Sequence, residues 1–215
     1  MLLLGATGLV GRECLRLLGA DSEVTRIIVP VRQRLDSPSL LPKVEEEIVN
    51  FDALVERPEL FRVDQIFCTL GTTIRQAGSQ SAFRRVDYEY PLVAAKLGAE
   101  GGARHFLVVT AVGASSTSRM FYSRVKGELE DALRTMPYRS VTIVRPSLLV
   151  GDRKPPRVGE EIGKRFGWIA PGKYKPVAAS TVAAALTQSA RDDQPGLHII
   201  ESDDIRRLAE GRPIH

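Results

Sequence analysis

Residues 1–11 read MLLLGATGLVG, a short apolar stretch that leads into three glycines and the start of an amphipathic helix. Gly5 permits a tight turn, Gly8 lets backbone N–H groups approach a pyrophosphate, and Gly11 permits close packing of helix on strand. Glycines at GxxGxxG spacing also occur in ordinary turns, but here they follow the first predicted strand. The stretch therefore predicts a dinucleotide-binding turn, with contacts from Gly5, Thr7, Gly8, Leu9, Val10 and Gly11.

Outward from this turn, the chain alternates between short β-branched runs and longer helical patterns. Strands are predicted at residues 1–4, 24–31, 46–49, 64–69, 105–110, 141–144 and 197–200. Helices are predicted at residues 8–18, 80–98, 118–136 and 180–191, with a last one from residue 203 that Ser202 caps. Because strands joined by helices run parallel, this order predicts an α/β fold with a doubly wound, mostly parallel sheet of the Rossmann type.

The length of 215 residues fits a single domain. One segment, residues 151–176, breaks the strand–helix rhythm and is rich in Pro, Gly, Lys and Arg around Trp168. We expect this segment to be an insert that forms a small C-terminal lobe on the substrate side. Its glycines are equally compatible with plain loop turns.

Composition and charge exclude several classes of protein. The hydrophobic fraction of 43% and the charged fraction of 26% are typical of globular domains. The net charge of +4 comes without runs of Lys or Arg, so we expect anionic small-molecule ligands and no nucleic-acid partner. The apolar runs are far shorter than the ~18 residues of a membrane helix, so we expect no membrane partner. The sequence leaves the oligomeric state open.

Cysteine and histidine usage bears on compartment and metals. Cys14 and Cys68 make neither a disulfide framework nor a CxxC pair, and the first residues lack the basic leader of a signal peptide. We therefore expect a cytoplasmic location. His105, His198 and His215 have no Cys or carboxylate at ligand spacing, so no metal site is expected.

The end of the second predicted strand bears on the choice of cofactor. It reads Pro30-Val31-Arg32-Gln33-Arg34. An acidic side chain at this place binds a free ribose 2′-OH, whereas an arginine pairs with a 2′-phosphate. The sequence thus favours NADP (NADPH), with Arg32 as the clamp and Arg34 as a poorer one. The alternative is a solvated arginine pair in a loop.

Two further turns are candidates for cofactor contacts. Asp52 follows the third predicted strand, where it could meet an adenine amino group. Leu70 and Gly71 follow the fourth, where small residues let the backbone pass beside a cofactor. Each turn is equally compatible with a simple strand-to-loop connection.

The sequence Tyr122-Ser-Arg-Val-Lys126 places a phenol and an ammonium one helical turn apart. A nearby ammonium stabilises a phenolate, which lets a tyrosine donate a proton to a substrate oxygen near neutral pH. The alternative is an amphipathic helix with a packed tyrosine and a solvated lysine. Because this helix follows the fifth strand of a chain that begins with a glycine turn, the combination favours a catalytic site.

Together, GATGLVG, LVVTAVGAS and YSRVK resemble the short-chain dehydrogenase/reductase superfamily over nearly the whole chain. The runs FCTLGTT, HFLVVTAVGAS, FYSRVKGELE and VRPSLLVGDR resemble its atypical subgroup related to the Tat-interactive protein. This resemblance implies a Rossmann fold, NADP(H), Tyr122 as acid/base and Lys126 as the residue that orients the nicotinamide ribose.

The family also has a catalytic serine at the end of the fifth strand, and here the chain departs from it. Thr110 offers a hydroxyl at the strand end, and the first serines come later, with Ser115 as the second candidate. Pro146, in the run Arg145-Pro-Ser147, resembles the loop that flanks the nicotinamide.

Two functions remain open from the sequence. The first is an NADP(H)-dependent oxidoreductase of the atypical short-chain type, acting on a small carbonyl or alcohol substrate. The second is a non-catalytic NADP(H)-binding regulatory or redox-sensing protein. The YxxxK pair favours the enzyme, whereas the missing strand-end serine favours the regulator.

Overall fold

The computed structural model describes residues 1–34, 42–150 and 174–209. Its strands in chain order are β1 (Leu2–Leu4), β2 (Ile27–Val31), β3 (Val44–Ile48), β4 (Gln65–Cys68), β5 (His105–Val109), β6 (Ser140–Arg145), β7 (Leu149–Val150), β8 (Val177–Ala178) and β9 (Gly196–Glu201). Seven of the described strands form one sheet in the order β3-β2-β1-β4-β5-β6-β9, with every neighbouring pair parallel. This order confirms the predicted doubly wound α/β fold. A separate parallel pair, β7 with β8, was not predicted.

The described helices are α1 (Leu9–Ala20), α2 (Ile74–Ala77), α3 (Gln80–Arg84), α4 (Tyr90–Glu100), α5 (Phe121–Arg134), α6 (Ala179–Asp192) and α7 (Ser202–Ala209). Two 3₁₀ turns, Phe51–Glu56 and Pro58–Phe61, follow β3. The helices predicted at residues 8–18, 118–136 and 180–191 correspond to α1, α5 and α6. In the described ranges, no helix combines the length and the apolar character needed to cross a membrane.

Apolar layers cover both faces of the sheet. On one face, Leu3 and Leu107 pack with the buried sides of α1 and α6. On the other, Leu2 and Phe106 pack with α4, α5 and the 3₁₀ turns. Because the central strands are buried on both faces, their sequences are continuously apolar instead of alternating.

The helix predicted at residues 80–98 is present as a continuous helical run, in which α3 passes through a π turn (Arg85–Glu89) into α4. The π turn was not predicted. Pro91 has no N–H, and its ring would crowd the carbonyl four residues earlier, that of Asp87, in a regular helix. A π turn before Pro91 accommodates this interruption. Asp87, at the centre of the turn, is fully buried.

The substrate-side insert predicted at residues 151–176 lies almost entirely outside the described residues, as residues 174–176 alone are described. Within them, the Lys175 carbonyl accepts a hydrogen bond from the Ser147 hydroxyl. The insert and the single-domain organisation therefore stay predictions.

Candidate active site

The glycine turn joins β1 to α1 at the carboxyl edge of the sheet. Gly5 has a φ of +83°, and a Cβ there would lie 2.8 Å from the Thr69 carbonyl carbon. A Cβ on Gly11 would lie 2.1 Å from the Gly5 oxygen. The tight turn at Gly5 and the close helix packing at Gly11 are confirmed, because neither position has room for a side chain.

Gly8 is different from the other two glycines. Its φ of −76° suits any residue, and a Cβ would come within 3.2 Å of the Gly5 oxygen. Gly8 caps α1 without a side-chain hydrogen bond, and the first turn of the helix carries no acidic residue. The N–H groups of that turn can therefore bind an anion. Gly8 is small enough to let the anion approach, whereas its backbone conformation does not require a glycine.

An open cleft extends from this turn across the ends of β4 and β5 to α5. Its lining consists of Gly8, Leu9, Val10, Thr69, Leu70, Gly71, Thr72, Asp87, Val109, Thr110, Tyr122, Lys126 and Leu149. The structure therefore brings together the glycine turn, the turn after β4 and the YxxxK pair, which are far apart in the sequence.

Tyr122 and Lys126 lie on adjacent turns of α5. Both side chains contact the helical segment that precedes α4. The Tyr122 ring packs against Phe83, with ring centroids 5.4 Å apart. Lys126 Nζ lies 2.8 Å from Asp87 Oδ1, with the two side chains 4% and 1% exposed. The second carboxylate oxygen of Asp87 accepts a hydrogen bond of 2.9 Å from the Thr72 N–H. Sequence reasoning predicted the lysine but missed its partner.

A sequence signal for Asp87 existed. Phe83, Asp87 and Pro91 follow one another at intervals of four, and all three are buried. A lone carboxylate on an otherwise apolar helix face requires a partner inside the protein. This pattern indicates that Asp87 has a buried partner, but it does not say which residue that partner is.

Charge within the cleft is set by this ion pair. Burial by itself lowers the pKa of Lys126, but the Asp87 carboxylate, with a smaller contribution from Tyr122, raises it above the ordinary value. The ammonium therefore stays charged across the neutral range.

Thr110 lines the cleft, but its hydroxyl is already engaged. It donates a hydrogen bond of 2.6 Å to Glu130 Oε1, and both residues are buried. Glu130 is held in turn by Arg145, whose Nε lies 3.1 Å from the same oxygen. Glu130 was also missed, although it continues the four-residue spacing of Tyr122 and Lys126 along α5.

Ser115 and Pro146 belong to loops beside α5 and β6. The Ser115 N–H donates to the Ser123 carbonyl at 3.0 Å, and its exposed hydroxyl lies 3.0 Å from that of Thr117. The buried Pro146 accepts a hydrogen bond of 2.9 Å from the Val112 N–H through its carbonyl. In the described ranges, no group of three or more His, Cys, Asp or Glu side chains is arranged to hold a metal ion.

Residues predicted to contact the adenosine end cluster after β2 and β3. Asp52 Oδ1 accepts a hydrogen bond of 2.7 Å from the Tyr90 hydroxyl. Burial, followed by the Asp52 carboxylate, raises the pKa of Tyr90 to about 12, while the charges of Arg85 and Arg32 oppose this shift. The charge of the exposed Arg32 thus acts on Tyr90, the hydrogen-bond partner of Asp52.

Comparison with known proteins gives the family. The HIM1 family model matches residues 38–167. The chain belongs to the HIM1 family. It is 29% identical to Protein HTATIP2 of Rattus norvegicus, covering 97% of this chain and 88% of that protein. It is 30% identical to "Protein FMP52, mitochondrial" of Eremothecium gossypii, covering 97% of this chain and 96% of the relative. The resemblance to the Tat-interactive-protein subgroup is confirmed.

Solved structures of sugar-nucleotide enzymes share the fold of this HIM1-family chain. MoeE5 in complex with UDP-glucose and NAD aligns with a TM-score of 0.69 at 15% identity, covering 99% of this chain and 82% of that one. DesIV, a dTDP-glucose 4,6-dehydratase from Streptomyces venezuelae, aligns with a TM-score of 0.70 at 15% identity, covering 99% and 81%. The chain therefore shares the doubly wound fold of these two enzymes.

The predicted cytoplasmic location is wrong on this comparison. The relatives from Candida albicans, Meyerozyma guilliermondii and Emericella nidulans all carry "mitochondrial" in their names. The prediction rested on the absence of a disulfide framework. Low cysteine content indicates reducing conditions, and it does not say which reducing compartment supplies them.

Proposed function

We propose that this chain is an NADP(H)-dependent oxidoreductase that acts on a small carbonyl or alcohol substrate. The observation that carries the proposal is the shared cleft, in which Tyr122 and Lys126 face the same opening as Gly8 and the start of α1. The cleft lies at the carboxyl edge where the strand order reverses, the place where doubly wound sheets bind dinucleotides.

A bound nicotinamide would supply or accept the hydride. Gly8 and the first turn of α1 would hold the pyrophosphate, and Leu70 and Gly71 would form the opposite wall. Lys126 would hold the ribose next to the nicotinamide and keep positive charge beside Tyr122. The Tyr122 hydroxyl would give its proton to the substrate oxygen during reduction and recover it during oxidation.

The role of a second hydroxyl is more restricted than in the family pattern. Because the Thr110 hydroxyl donates its one hydrogen bond to Glu130, it can only accept a hydrogen bond from the cleft in this arrangement. Donation to a substrate oxygen would require that bond to break. Tyr122 is thus the principal proton donor to the substrate in this proposal, with Ser115 as the second candidate on the neighbouring loop.

Arg32 supports the choice of NADP(H) over NAD(H). It is exposed directly after β2, and its charge acts on Tyr90, the hydrogen-bond partner of the proposed adenine contact Asp52. A guanidinium at this place would pair with the 2′-phosphate in a fork geometry. Arg34 remains the poorer candidate.

A second function is favoured by one observation. The strand-end hydroxyl of Thr110 is bound to Glu130, so the described cleft holds fewer free proton donors than the family pattern requires. This favours a non-catalytic NADP(H)-binding regulator, which would need the glycine turn and Arg32 but no turnover.

Paired binding and turnover measurements test both functions. NADPH and NADH are titrated against the wild type, Arg32→Ala and the matched variant Arg34→Ala. We expect Arg32→Ala to weaken the binding of NADPH by about 1.5–3 kcal/mol, the value of a charged hydrogen bond. The binding of NADH should be unchanged. NADPH oxidation is then followed against a panel of small carbonyls.

The outcomes separate the two functions. Turnover supports the oxidoreductase, and tight NADPH binding without turnover on the panel supports the regulator. Equal weakening of both cofactors by Arg32→Ala would show that Arg32 does not read the 2′-phosphate. Tighter binding of NADH than of NADPH by the wild type would contradict the NADP assignment itself.

A further inference from the structure

The strongest unexplained feature of the cleft is the acid that faces it. Asp87 is fully buried in the π turn, and its carboxylate points at Lys126. A Cβ on Gly71 would come within 3.5 Å of Asp87 Oδ1 and 3.9 Å of Lys126 Nζ. The ion pair therefore lies directly beneath the open face of Gly71, in the wall that a cofactor would contact.

Stability alone does not explain why a pair of charges is buried here. Desolvation of two charges costs several kcal/mol, and well-packed apolar residues in place of a buried ion pair are often neutral or stabilising. The surroundings could accommodate such residues, since Phe83 and Pro91 on the same face are apolar and buried. The pair thus indicates a requirement for charge at this point of the cleft.

Lys126 requires a negatively charged partner in order to stay protonated while it is buried. The titratable groups that face Lys126 are Asp87 from the π turn, Tyr122 from α5 and Cys68 from the end of β4. Burial raises the pKa of the Cys68 thiol to about 12, so this group is neutral in the ordinary range. An ionised carboxylate at Asp87 is therefore the counterion that keeps a desolvated lysine protonated.

The other bonds of Asp87 fix its direction. The Thr72 N–H binds Oδ2, which leaves Oδ1 for the lysine. Thr72 follows the Gly71 turn, so one carboxylate connects the turn after β4 with α5. The same helical segment carries Phe83 against the Tyr122 ring, so it positions both members of the YxxxK pair.

We propose that Asp87 is a positioning residue whose ion pair with Lys126 holds the ammonium charge in the cleft, beside Tyr122 and the place of the cofactor ribose. Asp87 acts through Lys126 and needs no contact with the substrate. The catalytic part of this inference rests on the proposed function. The charge state of Lys126 does not depend on it.

The test compares Asp87→Asn with Glu128→Gln. The asparagine keeps a carbonyl oxygen for the Thr72 N–H but removes the charge. Glu128→Gln is the matched control, because the pair Arg84 and Glu128 also links the α3 segment to α5 but lies outside the described cleft lining. The charge of Lys126 is read from its ¹³Cε resonance in lysine-labelled protein, assigned by its loss in Lys126→Met, over pH 6 to 11.

In the wild type and Glu128→Gln, we expect Lys126 to titrate above the ordinary pKa of a lysine. In Asp87→Asn it should titrate at least one pH unit lower, since burial then acts without a counterion. NADPH affinity measured at pH 9 should fall about tenfold or more in Asp87→Asn, while at pH 6 the loss should be much smaller. If turnover is found, the alkaline limb of its pH–rate profile should move to lower pH in Asp87→Asn.

Identical Lys126 titration in Asp87→Asn and Glu128→Gln would overturn the proposal. If Asp87→Asn does not fold, the wild type still decides, because a Lys126 that loses its proton below pH 9 contradicts the ion pair as its charge holder. Failure of turnover on the carbonyl panel would count against the oxidoreductase alone, since the resonance and the NADPH affinity report on Asp87 without catalysis.

Discussion

In the part of the chain that the structure describes, a buried basic side chain contacts a carboxylate at each end of the sheet. The amino-end cluster consists of His105, Thr142 and Asp193: His105 Nε2 lies 2.9 Å from Thr142 Oγ1, and Nδ1 lies 3.2 Å from Asp193 Oδ1. The cleft pair consists of Asp87 and Lys126 at the carboxyl end. Each combines a buried basic side chain with a carboxylate, yet the basic groups behave in opposite ways.

The two carboxylates differ in how many cations they serve. Asp193 also contacts Arg139 at 2.7 Å and Arg104 at 3.3 Å. Burial dominates and lowers the pKa of His105 to about 4; Asp193 opposes this shift, whereas the positive charge of Arg139 adds to it. Among the described residues, Asp87 contacts one cation, Lys126, whose pKa is raised. The buried lysine therefore stays charged in the ordinary range, whereas the buried histidine is neutral.

The amino-end cluster and the cleft pair also differ in their surroundings. The amino-end cluster joins β5, β6 and the residue that follows α6, so its bonds connect structural elements. The cleft pair borders an open cleft lined by Gly71 and Tyr122. We therefore expect changes at the amino end to alter stability, and changes at the cleft to alter binding and turnover.

The largest expected effect is at the cleft. Tyr122→Phe removes one oxygen and keeps the ring that packs on Phe83, so the fold and NADPH affinity should hold. In the proposed oxidoreductase, kcat should fall by ~10²–10⁴, the typical loss of a positioned acid. Steady-state kinetics beside a thermal melt measure this, with Tyr88→Phe as the control. Full turnover by Tyr122→Phe would contradict the assignment of Tyr122 as the proton donor.

A smaller effect is expected at the amino end, on stability. Asp193 has a φ of +42°, which asparagine tolerates, so Asp193→Asn removes the charge without adding backbone strain. We expect unfolding free energy to fall by about 1–2 kcal/mol, since charged hydrogen bonds weaken when the cation is half exposed. Urea denaturation measures it, with Asp192→Asn as the neighbouring control. Weaker NADPH binding by Asp193→Asn at unchanged stability would break the division between the two ends.

The smallest expected effect is the pH dependence of stability that His105 contributes. Its pKa is lower in the folded protein than the ordinary value of about 6.5 in an unfolded chain. The unfolded state therefore binds the extra proton first, and stability should be lost as pH falls from about 6.5 towards 4. Between pH 7 and pH 5 the wild type should lose on the order of 1 kcal/mol more than His105→Gln. The control is His198→Gln. Parallel pH profiles of the unfolding free energy for the wild type and His105→Gln would contradict this prediction.

Most of the fold could be predicted because the strong patterns are local. The continuous apolar runs of β1, β4 and β5 are typical of strands buried on both faces, and their alternation with helices allowed only a parallel sheet. The π turn inside the helix predicted at residues 80–98 was missed, because it depends on how the chain packs around the missing N–H of Pro91. The β7 and β8 pair was missed because two-residue strands carry no periodic signal.

The candidate site could be predicted in its parts but not in its connections. Gly5, Gly11, Tyr122 and Lys126 were identified from spacing, since turns and helix faces bring close neighbours in the sequence into contact. Asp87 lies 39 positions before Lys126 and Glu130 lies 20 after Thr110, so no local period joins these pairs.

The sequence by itself determined the doubly wound sheet, the glycine turn at its switch point and the helix that carries Tyr122 and Lys126. These depend on interactions within a few residues, and local geometry settles them. The tertiary structure alone decided that Asp87 pairs with Lys126, that Glu130 accepts the hydrogen bond of Thr110, and that Asp193 contacts three bases. The charge of a buried group depends on every group that reaches it in space, and its neighbours in space come from distant parts of the chain.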